Sequence, residues 1–332
     1  MSRALDKGVK AALKNGNHER VFEEISSALV QTHGSLLEVE LLGQSHIPDA
    51  DTTVLQDGNA IAIPKLRLVQ AFIVARQILK EHIRHAGKGT EDRVLRATAT
   101  ILLMDAEHLT AANTRKRLIS DPSLKPAHAR ELISKDKYLI DSLLTSRLHR
   151  HTKSPVLWSH RRWLTTQLSK LDMTQDVAAD IRDVVFVSAE RHPRNYYAWC
   201  HARQLVARSS TRKAPKLALD GPSLVMDTKR WCFSHHDDVS GWMFLTFLLR
   251  RWPEEAAGVF SETLQLAESF HWRNESVWYF LRNMVAGGTV DAARELQFET
   301  TRSTLRTGTQ DGSPERRTLD QAASWVKSGG RG

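Results

Sequence analysis

Positions 235–238, His-His-Asp-Asp, bring two imidazoles and two carboxylates together in four consecutive residues. These side chains can ligate a metal, but a helical zinc site spaces its ligands at i and i+4 so that they share one face. Consecutive side chains point in different directions unless the loop curls. We therefore expect no metal here, and we predict a turn in which Asp238 or Ser240 caps the next helix.

Signatures of a self-contained active site do not occur in the sequence. There is no nucleophile elbow, phosphate-binding loop or GxGxxG dinucleotide fingerprint in the 332 residues. Cys200 and Cys232 are the two cysteines and form no CxxC pair. Two isolated cysteines favour a reducing compartment, so we expect a cytoplasmic protein without a cofactor of its own.

Tryptophans recur at near-constant spacing through the second half of the chain. Trp158, Trp199, Trp242 and Trp278 lie about 40 residues apart, and Ala112 occupies the same position in an earlier unit. Each unit opens with Ser, Asn, Asp or Pro, which suit turns and helix N-termini. A repeat of this length holds two helices of about a dozen residues, and it predicts stacked helical hairpins.

Basic residues follow two of the tryptophans by about one turn, on nearly the same face. His160 and Arg161 come after Trp158, and His201 comes after Trp199. We interpret the tryptophans as packing residues of the repeat core, with the indole N–H at a polar edge. Two interpretations of the His and Arg remain open: they bond the last carbonyls of the neighbouring hairpin, or they face a partner.

Composition restricts the class of protein. Hydrophobic residues make up 41% of the chain, and 17 Gly and 10 Pro are few for its length, which favours helices. The net charge of +9 indicates either an anionic partner or a solvated basic surface. No RNA- or DNA-binding motif occurs, so we expect no nucleic acid. No apolar run reaches the roughly 20 residues of a transmembrane helix.

Turn and loop segments that contain Pro and Gly divide the chain into three parts. Residues 1–90 are predicted to be a helical segment, with helices over 18–39 and 64–85 separated by a loop at 44–64. Residues 91–301 hold the repeats. Residues 302–332 are predicted to be a tail, disordered in part, with a short helix over 319–326.

Two segments carry a family pattern. SPVLWSHRRWL (154–164) and ERHPRNYYAWCHARQLV (190–206) resemble the repeat of protein prenyltransferase alpha subunits, roughly P-(K/R)-N-Y-x-x-W-x-H-R. The second departs from it at Ala202, where the family has Arg. Phe244 and Phe280 stand at the His position of the later units. Over about 102–284, the order of these segments resembles the alpha-subunit repeat proteins of type III geranylgeranyltransferases.

The resemblance implies a fold and a reaction. The fold would be an all-α, right-handed superhelix of hairpin repeats, a crescent like that of TPR proteins. It would wrap a beta subunit, most closely that of the Rab-type geranylgeranyltransferase, which carries the zinc and the prenyl diphosphate pocket. The heterodimer, and not this chain alone, would geranylgeranylate a cysteine near the C-terminus of an acceptor protein, for this branch a SNARE.

The resemblance also implies roles for individual residues. Arg194 stands where the family has the Lys or Arg that approaches the diphosphate, and a cation there stabilises negative charge as the C–O bond breaks. Tyr196, Tyr197, His201, His160 and Arg161 are expected to face substrate or partner. The plainer interpretations are an exposed turn arginine and tyrosines that pack with their hydroxyls at the surface.

Two other functions compete with the subunit. A scaffold without transferase activity is suggested by the missing His and Arg of the last two units. A basic repeat protein that binds RNA or anionic lipid is suggested by the charge alone, and it requires a steep salt dependence of binding.

Overall fold

The chain divides into two compact, predominantly helical units. The computed structural model describes residues 13, 16–43, 46, 49, 51–85, 90–209 and 217–329. Unit 1 is Met1–Gln175 and unit 2 is Asp176–Gly332. The helical hairpins within each unit confirm the all-α repeat class that the tryptophan spacing predicts. The two units meet between residues 175 and 176, within the stretch 91–301 that was predicted to hold the repeats. In a repeat protein each repeat contacts mainly its neighbours, so a boundary between units needs no change in amino-acid composition.

Unit 1 is built from helices that bury one apolar face each. Its helices are α1 (His18–Val30), α2 (Lys65–Arg84), α3 (Glu91–Met104), α4 (Leu109–Ile119), α5 (Pro126–Leu144), the short α6 (His149–Thr152) and α7 (Pro155–Lys170). Helices α1, α2 and α3 pack on one another, α4 packs on α3, and α7 packs on α5. Phe22, Ile25 and Leu68 are fully buried where the first three helices meet.

A small sheet lies within unit 1, where the sequence predicted a loop at 44–64. Strands β1 (Glu38–Leu42), β2 (Leu55–Asp57) and β3 (Ala60–Pro64) are ordered β1-β3-β2. Strand β3 pairs parallel to β1 and antiparallel to β2. The tight turn between β2 and β3 uses Gly58 at a φ of 57°, which glycine adopts without strain. The loop prediction was wrong here because the alternation that buries Ile61 and Ile63 was overlooked.

The predicted helix over 18–39 was also too long. Helix α1 ends at Val30 with Gln31 as its C-cap. The chain then turns through Gly34 and Ser35 into β1, because glycine weakens a helix and β1 pairs with β3 instead. In contrast, the helix predicted over 64–85 is confirmed by α2, which Pro64 precedes as N-cap.

Unit 2 continues the pattern of paired helices. Its elements include α8 (Val177–Asp180), a π-helical turn (Ile181–Phe186), α9 (Val187–Arg191), α10 (Tyr196–Ser209), α11 (Gly221–Ser234), α12 (Val239–Leu249), a 3-10 turn (Pro253–Glu255), α13 (Ala256–Ser269), α14 (Glu275–Ala286), α15 (Ala292–Thr307) and α16 (Pro314–Lys327). Two short strands, β4 (Gln175–Asp176) and β5 (Leu217–Ala218), pair with each other. Helix α12 packs on α11 and α14, and α16 packs on α14.

Repeat helices begin where the turn residues predicted. Ser154 caps α7 by accepting the N–H of Leu157, and Asp238 caps α12 by accepting those of Ser240 and Gly241. Each cap satisfies backbone donors that a helix N-terminus leaves without a partner.

The C-terminal tail is more ordered than predicted. Helix α15 extends to Thr307, and α16 spans Pro314–Lys327, whereas the sequence predicted a helix over 319–326 alone. Leu319 and Ala322 are fully buried, so α16 gains its order from packing on α14. None of the helices in the described ranges is long and apolar enough to cross a lipid bilayer.

Candidate functional site

The four repeat tryptophans are core residues. Trp158, Trp199, Trp242 and Trp278 are each exposed by 1% or less. Three of them donate the indole N–H to the backbone carbonyl six residues earlier. The bonds are Trp158 to Thr152 at 2.8 Å, Trp242 to His236 at 3.0 Å and Trp278 to Trp272 at 2.8 Å. Each of these three tryptophans therefore fills the repeat core, and its hydrogen bond also joins the preceding turn to its helix.

Trp199 departs from this pattern. Its buried indole N–H has no hydrogen-bond partner among the described residues. Five residues before it lies Arg194, whose φ is 59°. At the equivalent places before the other tryptophans, Lys153, Asp237 and Arg273 have ordinary negative φ. A left-handed backbone is unfavourable for a residue with a side chain, and such strain concentrates at functional sites.

A second buried feature joins α7 to the preceding hairpin. The His160 Nε2 atom lies 2.6 Å from Oδ2 of Asp136 on α5, and Arg115 donates from Nε to Oδ1 at 2.6 Å. Burial opposes ionisation of Asp136, but the charge of Arg115 and the hydrogen bonds from Arg115 and His160 outweigh it, and the pKa of Asp136 falls to about 2. Burial lowers the pKa of His160 against the pull of Asp136. The carboxylate is thus charged, and a neutral His160 donates to it.

Arg161 makes a parallel contact further along α5. Its guanidinium, which is fully buried, donates to Asp141 from Nε to Oδ1 at 2.7 Å and from Nη2 to Oδ2 at 3.4 Å. Lys137 donates to the same carboxylate at 2.6 Å. The two-pronged geometry fixes α7 against α5.

His160, Arg161 and His201 do not face a substrate or partner, and that expectation was wrong. All three are exposed by 1% or less. Buried charges persist only when paired, and the pairs of His160 and Arg161 lie within unit 1. His160 and Arg161 bond the carboxylates of Asp136 and Asp141 on α5. Sequence reasoning missed Asp136 and Asp141, although acidic residues inside an apolar helix stretch signal such pairs.

Arg194 lies at the surface, in a turn held by its backbone. Its N–H donates to Oδ2 of Asp238 at 2.6 Å, while the side chain is exposed. Its guanidinium forms no ion pair with any residue in the described ranges. A cleft of about 420 Å³ opens beside it, lined by residues of α9, the Arg194 turn and the turn before α12. The site therefore presents a cation at the edge of a cleft.

The histidines of that cleft are anchored by stacking. His235 lies 4.3 Å from Trp231, centroid to centroid, and its Nδ1 is 2.9 Å from the Trp231 carbonyl. His236 stacks on Trp272 at 5.0 Å. Within the described parts of the chain, no cluster of three or more His, Cys, Asp or Glu side chains is arranged to hold a metal ion. Residues 235–238 form a turn with Asp238 as N-cap.

Two tyrosines follow Arg194 and Asn195 at the start of α10. Tyr196 is 68% exposed and Tyr197 is 36% exposed, with their rings 5.6 Å apart in an edge-to-face arrangement. A hydrogen bond with Cys200, one turn later, raises the pKa of the Tyr196 hydroxyl. Exposed aromatic rings beside a cation suit contact with another molecule.

Comparison with known proteins finds similar sequences over about half of the chain. The family model described as the ECM9 middle domain matches residues 157–270. The human protein prenyltransferase alpha subunit repeat-containing protein 1 is 31% identical over 176 residues, covering 48% of this chain and 40% of that protein. Protein ECM9 of Saccharomyces cerevisiae is 28% identical over 186 residues, covering 55% of this chain and 46% of that protein.

The helical repeats of this chain resemble those of proteins named for prenyltransferase alpha-subunit repeats. The chain spans about two fifths of the length of the vertebrate relatives it matches; one of them, from Xenopus laevis, is 28% identical over 176 residues. The Trp-x-His-Arg residues of α7 are interior. The exposed residues are those just before the tryptophan, Arg194 and the two tyrosines.

Proposed function

We propose that this chain is the alpha-type subunit of a heterodimeric protein prenyltransferase that geranylgeranylates a cysteine near the C-terminus of an acceptor protein. The observation that supports this most is the exposed Arg194 at the edge of a cleft, within a repeat whose relatives carry the prenyltransferase alpha-subunit name. In this proposal, the chain is inactive alone. A beta subunit of the Rab-type geranylgeranyltransferase supplies the zinc and the lipid pocket.

Arg194 would contribute electrostatic stabilisation. The acceptor cysteine, as its thiolate, attacks the first carbon of the prenyl chain to form a thioether, and the C–O bond to diphosphate breaks. Negative charge accumulates on the departing diphosphate, and a guanidinium can donate two parallel hydrogen bonds to phosphate oxygens. Asp238 holds the turn through the backbone, so it leaves the charge of Arg194 available. Tyr196 and Tyr197 would line the path of the acceptor, which we propose is a SNARE.

Co-expression with a Rab-type beta subunit tests the proposal. We expect a stable complex that transfers labelled geranylgeranyl from its diphosphate to a SNARE bearing one prenyl group. Arg194→Ala should lower the transfer rate at least tenfold while the complex still forms, and Arg194→Lys should restore part of it. Arg317→Ala, which removes an exposed arginine from α16, serves as the control. No complex with this or a farnesyltransferase beta subunit would contradict the proposal.

A scaffold without transferase activity is the second candidate. The observation that favours it is the burial of His160 and Arg161 in pairs with Asp136 and Asp141. These motif residues join hairpins, so the repeat pattern is equally consistent with a protein that only assembles partners. The two functions differ in one result: a scaffold would bind its partner and leave the prenyl diphosphate unreacted.

A further inference from the structure

Helix α2 of unit 1 has an apolar face that no other described element covers. Its inward face buries Leu68, Ala71 and Ala75 against α1 and α3. On the outward face, Ile73 is 45% exposed and Ile83 is 53% exposed. A helix in a globular domain normally shows one apolar stripe and a polar opposite face. A second apolar stripe on α2 is typical of a surface that receives another element.

This stripe forms one wall of a groove. The groove has a volume of about 730 Å³ and runs along α2 to the start of α4, where His108 and Thr110 line it. Phe72, Ile73 and Ile83 are among the apolar residues that contribute to it. The stretch 72–84 rises about 18 Å at the helical 1.5 Å per residue, a span of three to four helical turns. A groove of this length fits one helix of similar length.

The groove is lined by three basic side chains. Arg76, Lys80 and Arg84 recur every four residues along the groove, so they form a continuous row on the same face as Ile73 and Ile83. None of the three forms an ion pair with a described residue, and no Asp or Glu is among the described residues that line the groove. The groove therefore combines apolar side chains with a row of cations that have no acidic partner among the described lining residues.

We propose that this groove binds an acidic amphipathic helix of a partner protein. Apolar side chains at i, i+3 or i+4, and i+7 of that helix would pack on Phe72, Ile73 and Ile83. Its Asp and Glu side chains, which flank these apolar positions, would pair with Arg76, Lys80 and Arg84. An extended strand is disfavoured, because the backbone of α2 has its hydrogen bonds satisfied within the helix. A bilayer surface is too broad to reach the floor of a groove.

The groove lies in unit 1 and Arg194 lies in unit 2, so the two proposals fail separately. The test uses the full chain and a displayed library of amphipathic helical peptides. Leu is fixed at i, i+3 and i+7 of each peptide, and the flanking positions vary between Glu and Lys. We expect selection to enrich Glu at the flanking positions. Raising the salt concentration should weaken binding of the selected peptide.

Matched variants locate the binding surface. The pair Ile73→Glu and Ile83→Glu, and separately the pair Lys80→Glu and Arg84→Glu, should each weaken the selected peptide at least tenfold. Leu296→Glu and Arg317→Glu change an exposed Leu and an exposed Arg of unit 2, and they should bind as the unchanged chain does. If the first pair unfolds the chain, Ile73→Ala with Ile83→Ala removes the same contacts without adding charge.

Three results would overturn the proposal. They are enrichment of Lys or of no charge, binding unaffected by the groove variants, and groove-dependent binding of phosphatidylserine vesicles without binding of the acidic peptides. The last result would assign the surface to a membrane instead.

Discussion

The backbone N–H of Arg194 donates a 2.6 Å hydrogen bond to Oδ2 of Asp238, which lies 44 residues further along the chain. The other oxygen of the same carboxylate, Oδ1, accepts the N–H groups of Ser240 and Gly241 at 2.9 and 3.3 Å. One buried side chain therefore caps α12 and also fixes the strained turn from which Arg194 projects.

Asp238→Ala should destabilise the chain by about 2–4 kcal/mol. The substitution removes a helix cap, and it also leaves the Arg194 N–H without its acceptor. Asp220→Ala is the matched control, because Asp220 caps α11 from an exposed position by accepting the Ser223 N–H. We expect Asp220→Ala to lower the free energy of unfolding by about 1 kcal/mol. Urea unfolding of both variants measures the difference, and equal losses would show that the bond to Arg194 contributes nothing.

Arg194→Gly should leave the free energy of unfolding within about 0.5 kcal/mol of its present value. Glycine relieves the positive φ of 59°, and this gain offsets the larger entropy of glycine in the unfolded chain. At Lys153, the equivalent position with a φ of −110°, glycine brings no such relief. Lys153→Gly should therefore cost about 0.5–1 kcal/mol. Thermal unfolding compares the two variants, and equal losses would mean that the turn at Arg194 is unstrained.

The sequence was sufficient to predict the repeat class, because Trp158, Trp199, Trp242 and Trp278 recur with the period of a helical hairpin. It was insufficient for the buried pairs of α7. Asp136 and Asp141 lie about 20 residues from His160 and Arg161, and only the packing of α7 on α5 brings them together.

The strands between 38 and 64 were missed for a different reason. A stretch bounded by Pro and rich in Asp and Thr is typical of a loop, and the short alternation in β3 carries a weak signal beside it. The exposure of Arg194 was predicted as the plainer interpretation, but its left-handed backbone has no signature in an arginine.

Replacement of two tryptophans should separate packing from hydrogen bonding. Trp242→Phe loses ring volume and leaves the His236 carbonyl without the indole donor. Trp199→Phe loses similar volume, but it also removes an N–H that has no partner among the described residues. We expect Trp242→Phe to be the more destabilising by about 1–2 kcal/mol in urea unfolding. The reverse order would contradict the hydrogen-bond pattern of the repeats.

Stability should fall as the pH drops below about 6.5. Burial lowers the pKa of both His160 and His151 in the folded chain, so the unfolded chain takes up protons first. The stability is therefore complete above the pKa of unfolded histidine and is lost on acidification. Urea midpoints measured from about pH 8 to pH 5 should decline, and His160→Gln should flatten the decline. Midpoints that are independent of pH would contradict this assignment.

Protonation of Asp136 should cause a second loss of stability, at lower pH. Its folded pKa of about 2 lies below the ordinary value of 3.8. The contribution, about 2 kcal/mol, is thus present above pH 4 and disappears as the pH falls towards 2. Asp136→Ala should cost about 3–5 kcal/mol at neutral pH, because it leaves Arg115 charged and buried without its partner. The urea midpoint of this variant should also show no fall between pH 4 and 2. Survival of that step in the variant would assign it to another carboxylate.

The most direct test of the subunit proposal is incorporation of labelled geranylgeranyl into a singly prenylated SNARE, measured with both chains present and with each one omitted. The account predicts incorporation only when this chain and the Rab-type beta subunit are both present. Incorporation by the beta subunit alone at the same rate, or none with the assembled complex, would contradict it.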